Sequence, residues 1–188
     1  MKTDFREAVF RSGRSVFRLR DIGMLIGATN ADNLKAAVNY YVSKGVLRNV
    51  RKGIYAKEGY SPAELACRIY APSYVSLETV LCGAGVVFQY SSAIKMVSYL
   101  SRTITVDGSE MVYQKLKDPV LVNNKGIEQN NYANTAIPER AFLDRLYLSK
   151  DYYFDNITPL QTEVVEALLP VYKCKALEKR ARRVLRNG

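Results

Sequence analysis

Glycine cuts the first sixty residues into short amphipathic pieces, and the order of those pieces limits the fold more than any other feature. The spacing predicts a helix over residues 3–12, with Phe5, Ala8 and Val9 as its apolar stripe and Ser12-Gly13 as its end. A second helix is expected over residues 17–26, where Leu19, Ile22 and Ile26 recur at helical spacing before Gly27. A third is expected from Thr29, with Asp32 three residues on as in a capping box. Leu34, Val38, Tyr41 and Val42 share one face of it, and Gly45 ends it. Residues 46–50 and 54–56 then read as two strands around Arg51-Lys52-Gly53, a hairpin with glycine where positive φ is needed. Three helices followed by a hairpin is the order of a winged helix-turn-helix.

Charge is concentrated in the same block. The chain has 188 residues and a net charge of +10. Residues 1–59 hold 12 basic and 5 acidic side chains, or +7, whereas residues 60–172 hold 9 and 12, or −3. Residues 173–188 return to 7 and 1, or +6. Two basic ends around a mildly acidic middle predict two places for a polyanion rather than general stickiness.

From residue 60 the texture mixes helix and strand. Ser61-Pro62 is an N-cap followed by proline at the first helical position, with Leu65, Ala66 and Ile69 as a core face. A helix is expected over residues 76–82, then β structure from 96 to 122, with a hairpin turn at Asp107-Gly108 and a last strand over 120–122. Helices are expected from Pro138 and from Pro159, and a basic amphipathic helix over 171–186 with Leu177, Ala181, Val184 and Leu185 on one side. The expected fold is therefore α+β: a winged helix-turn-helix at 1–59, and at 60–188 a mixed helix and sheet domain ending in a basic tail, 173–188.

Candidate DNA-contacting residues follow from helical geometry. With Leu34, Val38 and Tyr41 facing the core, the opposite side of the third helix carries Asp32, Asn33, Ala36, Asn39, Tyr40 and Ser43, with Lys35 at its border. Asn33 and Asn39 have the paired donor and acceptor that match adenine, and Lys35 reaches a guanine or a phosphate. Thr29 and Asn30 stand at the start of that helix. Arg48, Arg51 and Lys52 on the hairpin, and Arg18 and Arg20 at the second helix, are candidate phosphate contacts. Lys179, Arg180, Arg182, Arg183 and Arg186 form a possible phosphate clamp on the tail, or else the charged side of a helix that packs on the core or on a second subunit.

Several segments resemble the AbiEi antitoxin family. They are Gly45-Val46-Leu47-Arg48 leading into Arg51-Lys52-Gly53-Ile54-Tyr55, then Ser61-Pro62-Ala63-Glu64-Leu65-Ala66 and Tyr74-Val75-Ser76-Leu77-Glu78-Thr79, and finally Ala136-Ile137-Pro138-Glu139-Arg140-Ala141-Phe142-Leu143-Asp144. The likeness covers roughly residues 5–150; the last sixteen residues match no motif of the family. It implies a winged-helix transcriptional regulator that represses its own operon and counteracts a nucleotidyltransferase toxin without obligatory direct contact. The implied partner is double-stranded operator DNA, repeated or palindromic.

Other chemistry is constrained by composition. There is no His, so Ser-His-Asp catalysis, HExxH metal sites and imidazole switches are excluded. Cys67, Cys82 and Cys174 form no CxxC pair, and no metal site or cofactor is expected. No Lys follows an acidic residue two positions back, as the common metal nuclease pattern requires, and no P-loop is present, so the chain is expected not to be an enzyme. Glu139-Arg140 and Asp144-Arg145 read as helix-surface charges. The alternative is a protein- or RNA-interaction module, in which Tyr40, Tyr41, Tyr152 and Tyr153 stack on bases. With no apolar run near 18 residues and no signal-type start, the chain reads as cytoplasmic and without a membrane partner.

Overall fold

A computed structural model describes residues 5–187 as a mixed α+β chain in two compact units, one reaching to Ile69 and the other starting at Tyr70. The division falls ten residues after the expected 59/60 boundary. The helix Pro62–Ile69 (α4), whose cap Ser61 accepts from the Glu64 N–H, belongs to the first unit. Polar links explain this. Ser15 donates from its N–H and its hydroxyl to Glu64 Oε2, at 2.9 and 2.6 Å, and Glu64 is 1% exposed. At the other end of α4, Arg18 donates to the Arg68 carbonyl, while Arg68 reaches the buried Asp21.

The first unit opens with α1, Phe5–Arg11. Residues 3 and 4 of the expected helix lie outside the described residues. Residues 16–18, expected partly as helix, are a strand instead (β1, Val16–Arg18). It pairs antiparallel with β3, Ile54–Ala56, which also pairs with β2, Arg48–Arg51. The hairpin thus supplies two strands of a three-stranded sheet of order β1-β3-β2. The apolar pair Val16-Phe17 is fully buried here, which is why strand pairing wins over an amphipathic helical start. The helix α2, Leu19–Ile26, starts after Arg18, whose N–H donates to Asp21. Gly27 ends it at φ 65°, and α3 runs Ala31–Ser43. The two helices pack closely: a Cβ on Gly23 would lie 2.9 Å from a Leu34 methyl. Phe5, Val9, Phe17, Ile22, Leu34, Val38, Leu47 and Tyr55 form the core, and Tyr41 stacks on Phe5 at 3.9 Å between ring centroids.

The second unit is a six-stranded mixed sheet of order β6-β7-β5-β4-β9-β8. Its strands are β4 Ser73–Val75, β5 Ile94–Ser98, β6 Arg102–Val106, β7 Ser109–Lys115, β8 Ile127–Asn130 and β9 Ala133–Ala136. No local pattern predicts β4, β8 or β9. They are three or four residues long, and the polar Asn, Gln and Thr of the last two give little alternation. The strand expected over 120–122 is instead the end of a short helix, α6 Asp118–Leu121, which Pro119 favours at its first turn. The remaining helices are α5 Glu78–Gly83, α7 Pro138–Leu148, α8 Thr162–Leu168 and α9 Lys175–Asn187, with a 3-10 turn at Leu169–Tyr172. Tyr74, Val97 and Ala136 of the sheet meet Leu81, Phe142, Leu146, Val165 and Leu177 of the helices in one core.

The charges of α7 are a correction to the surface reading. Arg140 and Asp144 are both 0% exposed, and Glu139 and Arg145 are also buried. Asp144 accepts from the hydroxyls of Tyr74, Ser76 and Tyr172, at 3.0, 2.8 and 2.6 Å, and pairs with Arg140 at 3.4 Å. Arg140 also donates to the carbonyls of Lys125 and Val120 and to the Tyr74 hydroxyl. Burial pushes the Asp144 carboxyl up from its ordinary range, while Arg140 and the three hydroxyls pull it back. At an effective dielectric of about 20 the ion pair gains roughly 5 kcal/mol, which is offset by several kcal/mol of desolvation for each ion. The pair therefore fixes geometry more than it adds stability. Removing one partner, as in Arg140→Ala, is expected to cost the second unit about 3–5 kcal/mol, whereas Arg140→Lys, which keeps a cation beside Asp144, costs less. Urea denaturation of the two variants checks this; equal losses contradict it.

Candidate nucleic-acid interface

The turn between α2 and α3 is short because both of its ends are capped. Gly27 takes the left-handed conformation, and the side chain of Asn30 accepts from the N–H groups of Asp32 and Asn33 at 2.9 and 3.1 Å. Asn30, not Thr29, is the N-cap. Its side-chain oxygen is committed to the helix, and Thr29 is exposed just ahead of it.

Leu34 and Val38 of α3 are buried, and Asp32, Asn33, Lys35, Ala36, Asn39, Tyr40 and Ser43 are exposed on the other side. The helical wheel drawn from the sequence therefore describes the faces of this helix. Asn33 and Asn39 stand on the solvent side, with Ala36 between them in sequence. Lys35 lies 3.7 Å from Asp32, an exposed pair that costs little to exchange for another anion. Tyr40 is 56% exposed, and the Lys44 ammonium lies 5.6 Å from its ring centre. Lys44 adds a cation to this face that the periodicity gives no reason to single out.

The hairpin places Arg48 at the exposed outer strand and Lys52 with Gly53 in its two-residue loop. A register shift between Asn49 and Arg51 puts one extra residue into β2, so Arg51 rather than Val50 pairs with Ile54 and is half-buried. Arg20 is 72% exposed at the side chain, with a long 3.9 Å contact to Asp21. Arg18 departs from its expected role. Its guanidinium donates twice to the Arg68 carbonyl, closing the helix α4 instead of facing a phosphate. The reason lies in the Arg68 carbonyl, fifty residues away, which no local pattern connects to it.

The five tail candidates also divide. Leu177 and Ala181 of α9 are fully buried, with Val184 and Leu185 packed beside them. Arg180 is half-buried and donates to the Leu146 carbonyl at 3.1 Å. Arg182 makes a two-pronged contact with Glu166, 2.8 Å at each oxygen, and these bonds hold the Glu166 carboxyl below its ordinary range. Lys179, Arg183 and Arg186 are exposed.

The chain matches no protein-family model and no curated protein. Among the described residues no helix is long and apolar enough to cross a membrane.

Because Arg18 fastens α4 to β1, Arg18→Ala is expected to cost the first unit about 1.5–3 kcal/mol, the range for hydrogen bonds from a charged donor. Amide exchange of α4 would rise with it. Unchanged protection of α4 in this variant would show that Arg18 has no such role.

Proposed function

We propose that the first unit is a winged helix-turn-helix and that the chain is a sequence-specific DNA-binding regulator working by binding rather than catalysis. In this reading α3 enters a major groove, Asn33, Asn39 and Lys35 meet base edges and adjacent phosphates, and the β2–β3 hairpin is the wing. The observation that carries it is the outward face of α3. Two asparagines and a lysine stand there around a single small Ala36, opposite a face that is fully used by the core. A bulky residue at position 36 would hold the backbone away from the groove floor. Arg20, Arg48 and Lys52 supply positive charge for phosphates, which raises affinity without specifying sequence.

The resemblance to AbiEi antitoxins refines the proposal. Under it the bound site is the operator of the chain's own operon, the chain works in the bacterial cytoplasm, and repression accompanies protection from a nucleotidyltransferase toxin. The second unit, where two of the resembling segments lie, then carries the protective role.

Two variants separate the parts of the interface. Arg51→Glu with Lys52→Glu is expected to weaken binding to every duplex and to lower the slope of log affinity against log salt by roughly 0.9 for each phosphate no longer neutralised. Asn33→Ala is expected to leave that slope unchanged and to reduce discrimination at one base pair by about 1–3 kcal/mol. Fluorescence anisotropy across a salt series measures both. Full duplex affinity and an unchanged slope in the double variant contradict the wing; an unchanged sequence preference in Asn33→Ala contradicts the recognition helix.

A further inference from the structure

The tail helix α9 is a fixed rib of the second unit. Its inward side is Leu177, Ala181, Val184 and Leu185, and Arg180 ties it to the carbonyl end of α7. Its outward side gathers Lys179, Arg182, Arg183 and Arg186 around one shallow concavity. Positions 179, 182, 183 and 186 follow helical i, i+3, i+4, i+7 spacing and span about 10 Å of helix. Glu166 neutralises Arg182, and the helix's own acid, Glu178, is half-buried. Lys179, Arg183 and Arg186 are left as exposed cations on a helix that packs on the core. Mutual repulsion at that spacing is relieved by an anion of matching length.

We infer that Lys179, Arg183 and Arg186 form a second polyanion-binding surface, one that grips the phosphate backbone of duplex DNA without reading its sequence. The choice of DNA as the polyanion rests on the reading of the first unit; the surface itself does not. Two observations favour duplex over other polyanions. No aromatic or large apolar side chain is exposed on α9 among the described residues, so the ridge offers no aromatic platform for the bases of a single strand. The apolar side of the helix is already occupied by the core, so nothing is left to enter a bilayer. Backbone contact needs neither.

The test uses the full chain, with a mixed-sequence duplex of about 30 base pairs as the probe. Lys179→Gln, Arg183→Gln and Arg186→Gln together are expected to lower the salt slope by about 2–3, at roughly 0.9 per phosphate contact. Between about 50 and 200 mM salt, that change amounts to roughly 15- to 60-fold in relative affinity. Circular dichroism of the triple variant stays that of the parent, because all three side chains are exposed. A reciprocal variant, Glu166→Gln, releases Arg182 and is expected to steepen the slope by about one. An unchanged slope in both variants overturns the surface. Tighter binding of the parent to a single-stranded RNA or to phosphatidylserine vesicles than to the duplex overturns the choice of DNA. Weakening in the wing variant with none in the tail variant removes this surface alone; weakening in the tail variant with none in the wing variant removes the reading of the first unit instead.

Discussion

A buried guanidinium organises the second unit. Arg140 has no water to satisfy it, so every donor must find an acceptor within the fold. Its partners come from four places in the chain: Asp144 one helical turn on, the Tyr74 hydroxyl in β4, and the carbonyls of Val120 and Lys125 on either side of the polar turn that leads to β8. Asp144 in turn collects Ser76 and Tyr172. One ion pair thereby fixes where α7 sits on the sheet and where the 3-10 turn lies. That turn leads directly into α9, and α7 offers the Leu146 carbonyl that receives Arg180. The position of the basic ridge follows from a charge pair with no exposure of its own.

The first unit follows the same logic with two buried acids. Asp21 and Glu64 are buried acids, and each accepts hydrogen bonds from residues distant in sequence. Together with Arg18 they fasten α4 to the edge of the three-stranded sheet. Basic residues in this unit consequently fall into two kinds. Arg18 and Arg68 are fasteners, while Arg20, Lys35, Lys44, Arg48 and Lys52 are exposed. The same sorting operates in the tail, where Arg180 and Arg182 are engaged within the fold while Lys179, Arg183 and Arg186 face solvent. Net charge counts all of these alike, although the fold engages some of them with its own acceptors.

Much of the first unit is legible in the sequence because its signals are local. Gly27, Gly45 and Gly53 mark positive-φ positions, and the Leu34/Val38 periodicity assigns the faces of α3. The illegible parts depend on distant partners. Strand β1 is only three residues long and exists because β3 is there to pair with it. Strands β4 and β9 lie parallel to each other and depend on pairing across sixty residues. The sequence of α7 carries an i, i+4 Arg–Asp pair that reads as solvent-exposed, and only the convergence of Tyr74, Ser76 and Tyr172 makes it a core feature. Among the candidate site residues, those of α3 are legible from periodicity, whereas the fates of Arg18 and Arg182 are set by acceptors elsewhere in the fold.

The central claim is that the outward face of α3 reads a base sequence. Selection from a pool of random duplexes by the 188-residue chain tests it most directly, because it presupposes no operator. The account predicts enrichment of one motif, in repeated or inverted copies, and a relaxed preference at a defined position when Asn33 or Asn39 is replaced by Ala. A pool that binds and is recovered without any enriched motif would contradict it, leaving only backbone attraction.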